Sequence, residues 1–163
     1  MIRNQWYVVL NSKQVKQKPV GVTRLGEKLV FWRDTGQKVH CAFDRCPHRV
    51  AQLSQGKIIG DHLQCPFHGF EYDSSGQCVF LPAQGRANQP PAVMRLRSYP
   101  TYEAHGFILI WWGSNPPEDL NPPMFFDNID EHFHYGSVID PWNAHYSRVI
   151  ENQLDVAHLP FVH

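Results

Sequence analysis

The sequence predicts a mainly β chain: an antiparallel sandwich or barrel, followed by the start of an α+β domain. Three observations carry this reading. Short apolar runs broken by turn residues fill the first two-thirds of the 163 residues. No stretch before residue 145 has the periodicity of an amphipathic helix. A segment with four prolines in ten residues, Ser114 to Pro123, then interrupts the pattern.

The elements follow in order. Trp6–Leu10 is apolar and β-prone. Val20–Leu25 and Leu29–Arg33 flank Gly26-Glu27, which reads as a tight hairpin turn. Leu29–Arg33 and Lys38–Phe43 flank Asp34-Thr35-Gly36-Gln37, a second hairpin in which Gly36 is available for positive φ. Glu71–Asp73 and Gln77–Phe80 flank Ser74-Ser75-Gly76, a third. Met94–Ser98 alternates, and Phe107–Trp112 is a continuous apolar run, too short to cross a bilayer and read as a buried strand. The proline-dense segment can neither join a central strand nor continue a helix. A domain boundary is therefore expected there, between residues 1–114 and 115–163. Beyond it a strand is expected near Tyr135–Ile139, and a helix from about Ala144 to Leu159 that Pro160 would end.

Composition narrows the function. Hydrophobic residues make up 42% and charged residues 18%, with 15 Lys+Arg against 15 Asp+Glu, so nothing argues for nucleic acid or an anionic membrane as partner. Met1 to Leu10 lacks a basic stretch leading into an apolar one, so no signal peptide is read and the cytoplasm is the expected location. In a reducing compartment, four cysteines and ten histidines point to metal rather than to disulfides. His40, His62, His105, His132, His134 and His145 read as surface or ordinary packing residues. His48, His68, His158 and His163 stand in motifs.

The first motif is Cys46-Pro47-His48, followed after 16 residues by Cys65-Pro66-Phe67-His68-Gly69. A Rieske centre needs two thiolates on one iron and two imidazoles on the other, and two loops that each offer one Cys and one His supply both. The prolines stiffen the turns, and Gly69 lets the backbone bend close to a cluster. Backbone amides in such loops can point at the sulfurs. The competing readings are a structural Cys2His2 zinc site, whose paired ligands are usually two to four residues apart rather than the single residue between Cys46 and His48, and two unrelated loops with buried thiols. Cys41 and Cys78 read as small, buried strand residues.

The stretches Asp44-Arg45-Cys46-Pro47-His48-Arg49 and Gly60-Asp61-His62-Leu63-Gln64-Cys65-Pro66-Phe67-His68-Gly69-Phe70-Glu71-Tyr72-Asp73 are similar to the Rieske domain of aromatic-ring-hydroxylating oxygenase α subunits. The opening Asn4-Gln5-Trp6-Tyr7-Val8-Val9 resembles the subgroup of vanillate demethylases and pheophorbide oxygenases. Val50 stands where many relatives have Gly, and Phe70 where many have Trp. Neither is a ligand, so only the local loop packing is in question. High-potential Rieske proteins of respiratory complexes resemble this loop but have Cys at the place of Phe67 and Ser at that of Phe70. Tyr72 keeps a hydroxyl at the matching place. A midpoint of about −150 to 0 mV is expected.

The second motif is Asp155-Val156-Ala157-His158-Leu159-Pro160-Phe161-Val162-His163. Asp155 and His158 are three apart, which puts them on one helix face, and Pro160 would break the helix so that His163 swings back. Two histidines and a carboxylate on one face of iron make the facial triad of non-haem Fe(II) oxygenases. The plainer reading is a helix end with incidental histidines. Resemblance to the oxygenase pattern implies that His158 and His163 bind a mononuclear Fe(II). It implies that Asp155 bridges the two centres by hydrogen-bonding a metal histidine, coupling it to the Rieske cluster of a neighbouring subunit. In the family the third iron ligand is a carboxylate far downstream of this position, so the chain is expected to be the N-terminal part of a longer enzyme.

The resemblance thus implies a Rieske-type antiparallel β domain with a cluster-binding subdomain and an iron-dependent oxygenase, in which this chain by itself only transfers electrons. It also implies an NAD(P)H-dependent reductase or ferredoxin as electron donor, a homotrimer, O2, and a small organic, aromatic substrate. The rival class is a Rieske ferredoxin-type carrier, which has no use for Asp155, His158 and His163.

Overall fold

A computed structural model describes residues 2–114, 116, 132, 134, 136 and 138–162. The chain divides into two compact units, Met1–Phe125 and Phe126–His163.

Among the described residues the first unit holds eleven strands: β1 (Gln5–Asn11), β2 (Val20–Arg24), β3 (Glu27–Arg33), β4 (Val39–Phe43), β5 (Lys57–Ile59), β6 (His62–Gln64), β7 (Glu71–Tyr72), β8 (Cys78–Phe80), β9 (Ser98–Tyr99), β10 (Thr101–Ala104) and β11 (Phe107–Trp112). They form three antiparallel sheets in the orders β1-β11-β10, β2-β3-β4-β9 and β5-β6-β7-β8. The middle sheet works on both faces. Along β3, Leu29 and Phe31 join the core shared with Val9, Ile108, Ile110 and Trp112 of the first sheet. Val30 and Trp32 point the other way, into the core with Leu63, Tyr72, Cys46 and Cys65 of the third. Alternation of side chains along a strand makes this two-faced burial possible, and it explains why Leu29 to Trp32 is a continuous apolar run.

The turns depart from expectation in detail. Arg24 pairs with Glu27, so the first hairpin turns on Leu25-Gly26, one residue earlier than expected. Both turn residues have positive φ, +53° and +80°, as a twist-matched two-residue hairpin requires. In the second hairpin the left-handed residue is Gln37, not Gly36. The alternation at Met94–Ser98 produces a strand only at Ser98–Tyr99, while Arg95 makes an isolated bridge to Gln77. There the backbone serves the third hairpin instead: Cys78 donates to the Met94 carbonyl and Leu96 to that of Gly76.

In the second unit, α1 (Tyr146–Leu154) is capped by His145, and α2 (Leu159–Val162) follows. The expected single helix to Leu159 is thus two. Asp155 is extended (φ −82°, ψ 90°), and its carboxylate accepts the Ala157 amide at 3.0 Å. An aspartate that bonds its own backbone two residues on competes with the helix and ends it. Pro160 does not terminate a helix but sits in the first turn of α2, where its missing N–H costs nothing. The strand expected near Tyr135–Ile139 falls partly outside the described residues, and Val138 and Ile139 are in no strand. The boundary expected after residue 114 borders residues outside the description.

Candidate metal centre

The middle and third sheets present two loops. The first, Cys46 to Ala51, leaves β4. The second, Cys65 to Phe70, joins β6 to β7. In the first loop the Cys46 amide donates to the Ala51 carbonyl at 2.8 Å, and the Val50 amide donates to the Cys46 carbonyl at 2.9 Å. In the second, Cys65 donates to Phe70 at 2.8 Å and Gly69 to Cys65 at 3.1 Å. Asp44, buried two residues before Cys46, accepts the amide and the hydroxyl of Ser54 at 2.7 and 2.6 Å, which fixes the turn after the first loop. The sequence reading passed over that carboxylate, although an acid next to a Cys-Pro turn was its signal.

The four donors arrive as two pairs. Cys46 and Cys65 are buried at the inner end, 2% and 3% exposed, in one core cluster. His48 and His68 are exposed at the outer end, ring centroids 4.9 Å apart. Among the described residues no three His, Cys, Asp or Glu side chains gather as ligands of one ion. Aromatic rings orient the imidazoles: Phe70 stacks on His48 at 4.9 Å and 26°, and Phe67 lies 4.1 Å from His68. Phe70, where many relatives carry Trp, keeps this ring contact.

The sulfurs are met by donors. Burial pushes the Cys65 thiol up, against the pull of the Phe67 and His68 amides that point at it. The Tyr72 hydroxyl lies 3.2 Å from Cys46 Sγ, and burial first, then that contact, pushes the phenol up. Two thiols together, two imidazoles together and N–H and O–H donors at the sulfur end match what a [2Fe–2S] cluster needs from its protein. Cys46 and Cys65 would hold one iron and His48 and His68 the other. Cys41 and Cys78 are buried in β4 and β8, as expected. Burial holds both thiols above their ordinary range.

The comparisons with known proteins decide the family. The Rieske [2Fe-2S] domain matches residues 5–100. The chain belongs to the Rieske domain family. Its relatives include the oxygenase component of dicamba O-demethylase from Stenotrophomonas maltophilia, 36% identical over 99% of this chain and 48% of that protein. Aminopyrrolnitrin oxygenase PrnD from Pseudomonas fluorescens is 34% identical over 97% of this chain and 45% of that one. Among solved structures, NdmA of Pseudomonas putida CBB5 (a mutant with theobromine) superimposes with a TM-score of 0.83 at 29% identity, over 99% of this chain and 50% of that chain. Apo dicamba monooxygenase superimposes with a TM-score of 0.64 at 42% identity, over 69% of this chain and 34% of that chain. This Rieske chain thus spans about half the length of the curated relatives it matches.

In the second motif, Asp155 Oδ2 lies 3.5 Å from His158 Nδ1. The pair is brought together by the break between α1 and α2, not by a shared helix face. His163 lies outside the described residues. Among the described residues no helix is long and apolar enough to cross a membrane.

Proposed function

We propose that this chain is the electron-accepting part of a Rieske non-haem iron oxygenase. The pairing of buried thiols with exposed imidazoles carries the reading, because it gives one end of the site to the core and the other to a partner. The bound cluster would supply reversible one-electron transfer. Cys46 and Cys65 would hold the inner iron within the core, and Tyr72 and the loop amides would stabilise charge on their sulfurs. His48 and His68 hold the outer iron at the surface, where a reductase or ferredoxin fed by NAD(P)H can approach. Asp155 and His158 are the second support: with His163 they offer two imidazoles and a bridging carboxylate for a mononuclear Fe(II) site that acts on O2 and a small organic, aromatic substrate by hydroxylation or demethylation. The enzyme would be a cytoplasmic homotrimer serving aromatic catabolism.

Anaerobic reconstitution with iron and sulfide tests the first half. The expected product is red-brown, holds about two irons and two sulfides per chain, and on reduction gives a Rieske EPR spectrum of low average g. Replacing His48 or His68 with Cys should move the spectrum toward a four-thiolate type or abolish the cluster. A colourless protein that takes up zinc instead would overturn the reading. A full-length protein that holds the cluster and passes electrons to a separate acceptor, but forms no product from any substrate, would favour the ferredoxin-type carrier.

A further inference from the structure

Besides the cysteines and tyrosines, three ionisable side chains are buried among the described residues: His40, Asp44 and Glu71. His40 Nε2 is 2.8 Å from Asp34, and Asp44 is met at short range by Ser54. Glu71 is held differently. Gln64 Nε2 donates to its Oε1 at 3.1 Å, while His62 Nδ1 is 3.5 Å from Oε2 and Arg86 Nη2 is 4.0 Å from Oε1. The carboxylate side chain is 3% exposed, but those of His62 and Arg86 are 38% and 74% exposed. A buried carboxylate met only by a neutral amide donor, an imidazole at 3.5 Å and a solvent-facing guanidinium at 4.0 Å is weakly compensated, and a charge there acts through the interior.

Its place in the fold gives the charge a target. Glu71 pairs across the sheet with Gln64, the residue before Cys65, and is followed by Tyr72, whose hydroxyl meets Cys46. The bond from Cys65 to Phe70 closes the hairpin beside it. Its charge is felt at Cys78, which burial and then the charges of Cys46, Asp73 and Glu71 push up. Arg86 is aligned by Phe80, its guanidinium 4.4 Å over the ring, and Phe80 is the cross-strand partner of Glu71. A glutamine at position 71 would keep the contact to Gln64 without burying a charge. The hairpin therefore has no need of the charge itself.

We propose that Glu71 and Arg86 are opposed positioning charges that set the reduction potential of the cluster held by the two loops, Glu71 lowering it and Arg86 raising it. The proposal rests on the Rieske reading above. Reduction adds one electron and one negative charge with no bond made or broken. A fixed anion nearby disfavours that step and a cation favours it. Arg86 stands in solvent, so its effect is smaller and is screened by salt, whereas that of Glu71 is not.

The experiment is an EPR-monitored redox titration, with dithionite as reductant, of the reconstituted wild type, E71Q and R86Q. E71Q is expected to raise the midpoint, shifting the equilibrium toward the reduced form on the order of tenfold, or about 59 mV for a one-electron couple. R86Q is expected to lower it by less, and by less still in 1 M salt. Unchanged g values in both variants would show that ligation is intact. An E71Q midpoint equal to or below wild type overturns the proposal. So do two upward shifts, the result of a loosened hairpin that admits water. Should E71Q fail to hold the cluster, R86Q decides, and an unchanged or raised midpoint overturns the proposal. A wild type with no Rieske signal overturns the ligand reading as well, whereas a normal wild type with an unmoved E71Q overturns only this inference.

Discussion

Val50 and Gly69 occupy the same place in two loops built to one plan. Each is the fourth residue after a candidate ligand cysteine, each returns its amide to that cysteine's carbonyl, and each has left-handed φ, +63° and +72°. The loops differ in where the histidine sits, second after Cys46 and third after Cys65. Gly69 adopts this backbone freely, but a β-branched side chain there is strained. Glycine would adopt the backbone at position 50 as freely as Gly69 does at its own.

Replacing Val50 with Gly should therefore stabilise the protein. Relief of left-handed strain of about 1–3 kcal/mol is partly offset by the larger unfolded-state entropy of glycine, leaving about 1 kcal/mol. Gly69→Val should do the reverse by about 2 kcal/mol or more, because a Cβ there would also meet Pro82 Cγ at 3.2 Å. Urea denaturation of the two variants against wild type measures both.

Tyr72→Phe should lower the midpoint of the reconstituted protein. The hydroxyl 3.2 Å from Cys46 Sγ stabilises negative charge on that sulfur, and the reduced state carries more of it. The expected fall is on the order of tens of millivolts, less than the ~59 mV of a tenfold change. A potentiometric titration in which Tyr72→Phe matches wild type would remove the hydroxyl from the account.

Stability should carry an acid limb from Arg33 and Glu103. The guanidinium meets the carboxylate at 2.7 and 2.8 Å, and this hydrogen bond holds the Glu103 carboxyl below its ordinary range. A depressed acid contributes stability that is fully present above its unfolded pKa, near 4.3, and is lost as pH falls through the lower folded value. With Glu103 about a third exposed, the pair contributes about 1 kcal/mol. Glu103→Gln should thus cost about that much at pH 7 and almost nothing at pH 2, as read from denaturation at both.

On the proposed oxygenase reading, Asp155→Asn in the full-length protein should leave the Rieske EPR spectrum unchanged and cut product formation about 10- to 100-fold, as loss of a partner to a metal-binding histidine does. Equal loss of the cluster signal and of product would show that Asp155 serves folding instead.

The cluster site was legible because its signal is local. Cys46, His48, Cys65 and His68 lie within two short loops, and the proline, glycine and spacing pattern reports loop chemistry without reference to the rest of the chain. Apolar runs such as Phe107–Trp112 likewise matched their strand to the residue, since a run buried on both faces needs no partner to be recognised. Turn details were less legible. Leu25 and Gln37 take left-handed φ because the register of the flanking strands demands it, which a propensity scale does not contain. The helix through Asp155 failed for a similar reason, as the side chain found the Ala157 amide, a competition that periodicity does not see.

The sequence alone determined the β class and singled out the four candidate ligands, because residue type, spacing and alternation are properties of the chain, but it did not show the short strands β5, β6 and β10. Tertiary structure decided which pairs those ligands form, that β3 serves two cores, that Val50 repeats the place of Gly69, and that a carboxylate at Glu71 is buried behind the cluster loops. Each of these depends on strand pairing between distant residues, and burial and electrostatic reach exist only once those pairings have excluded water.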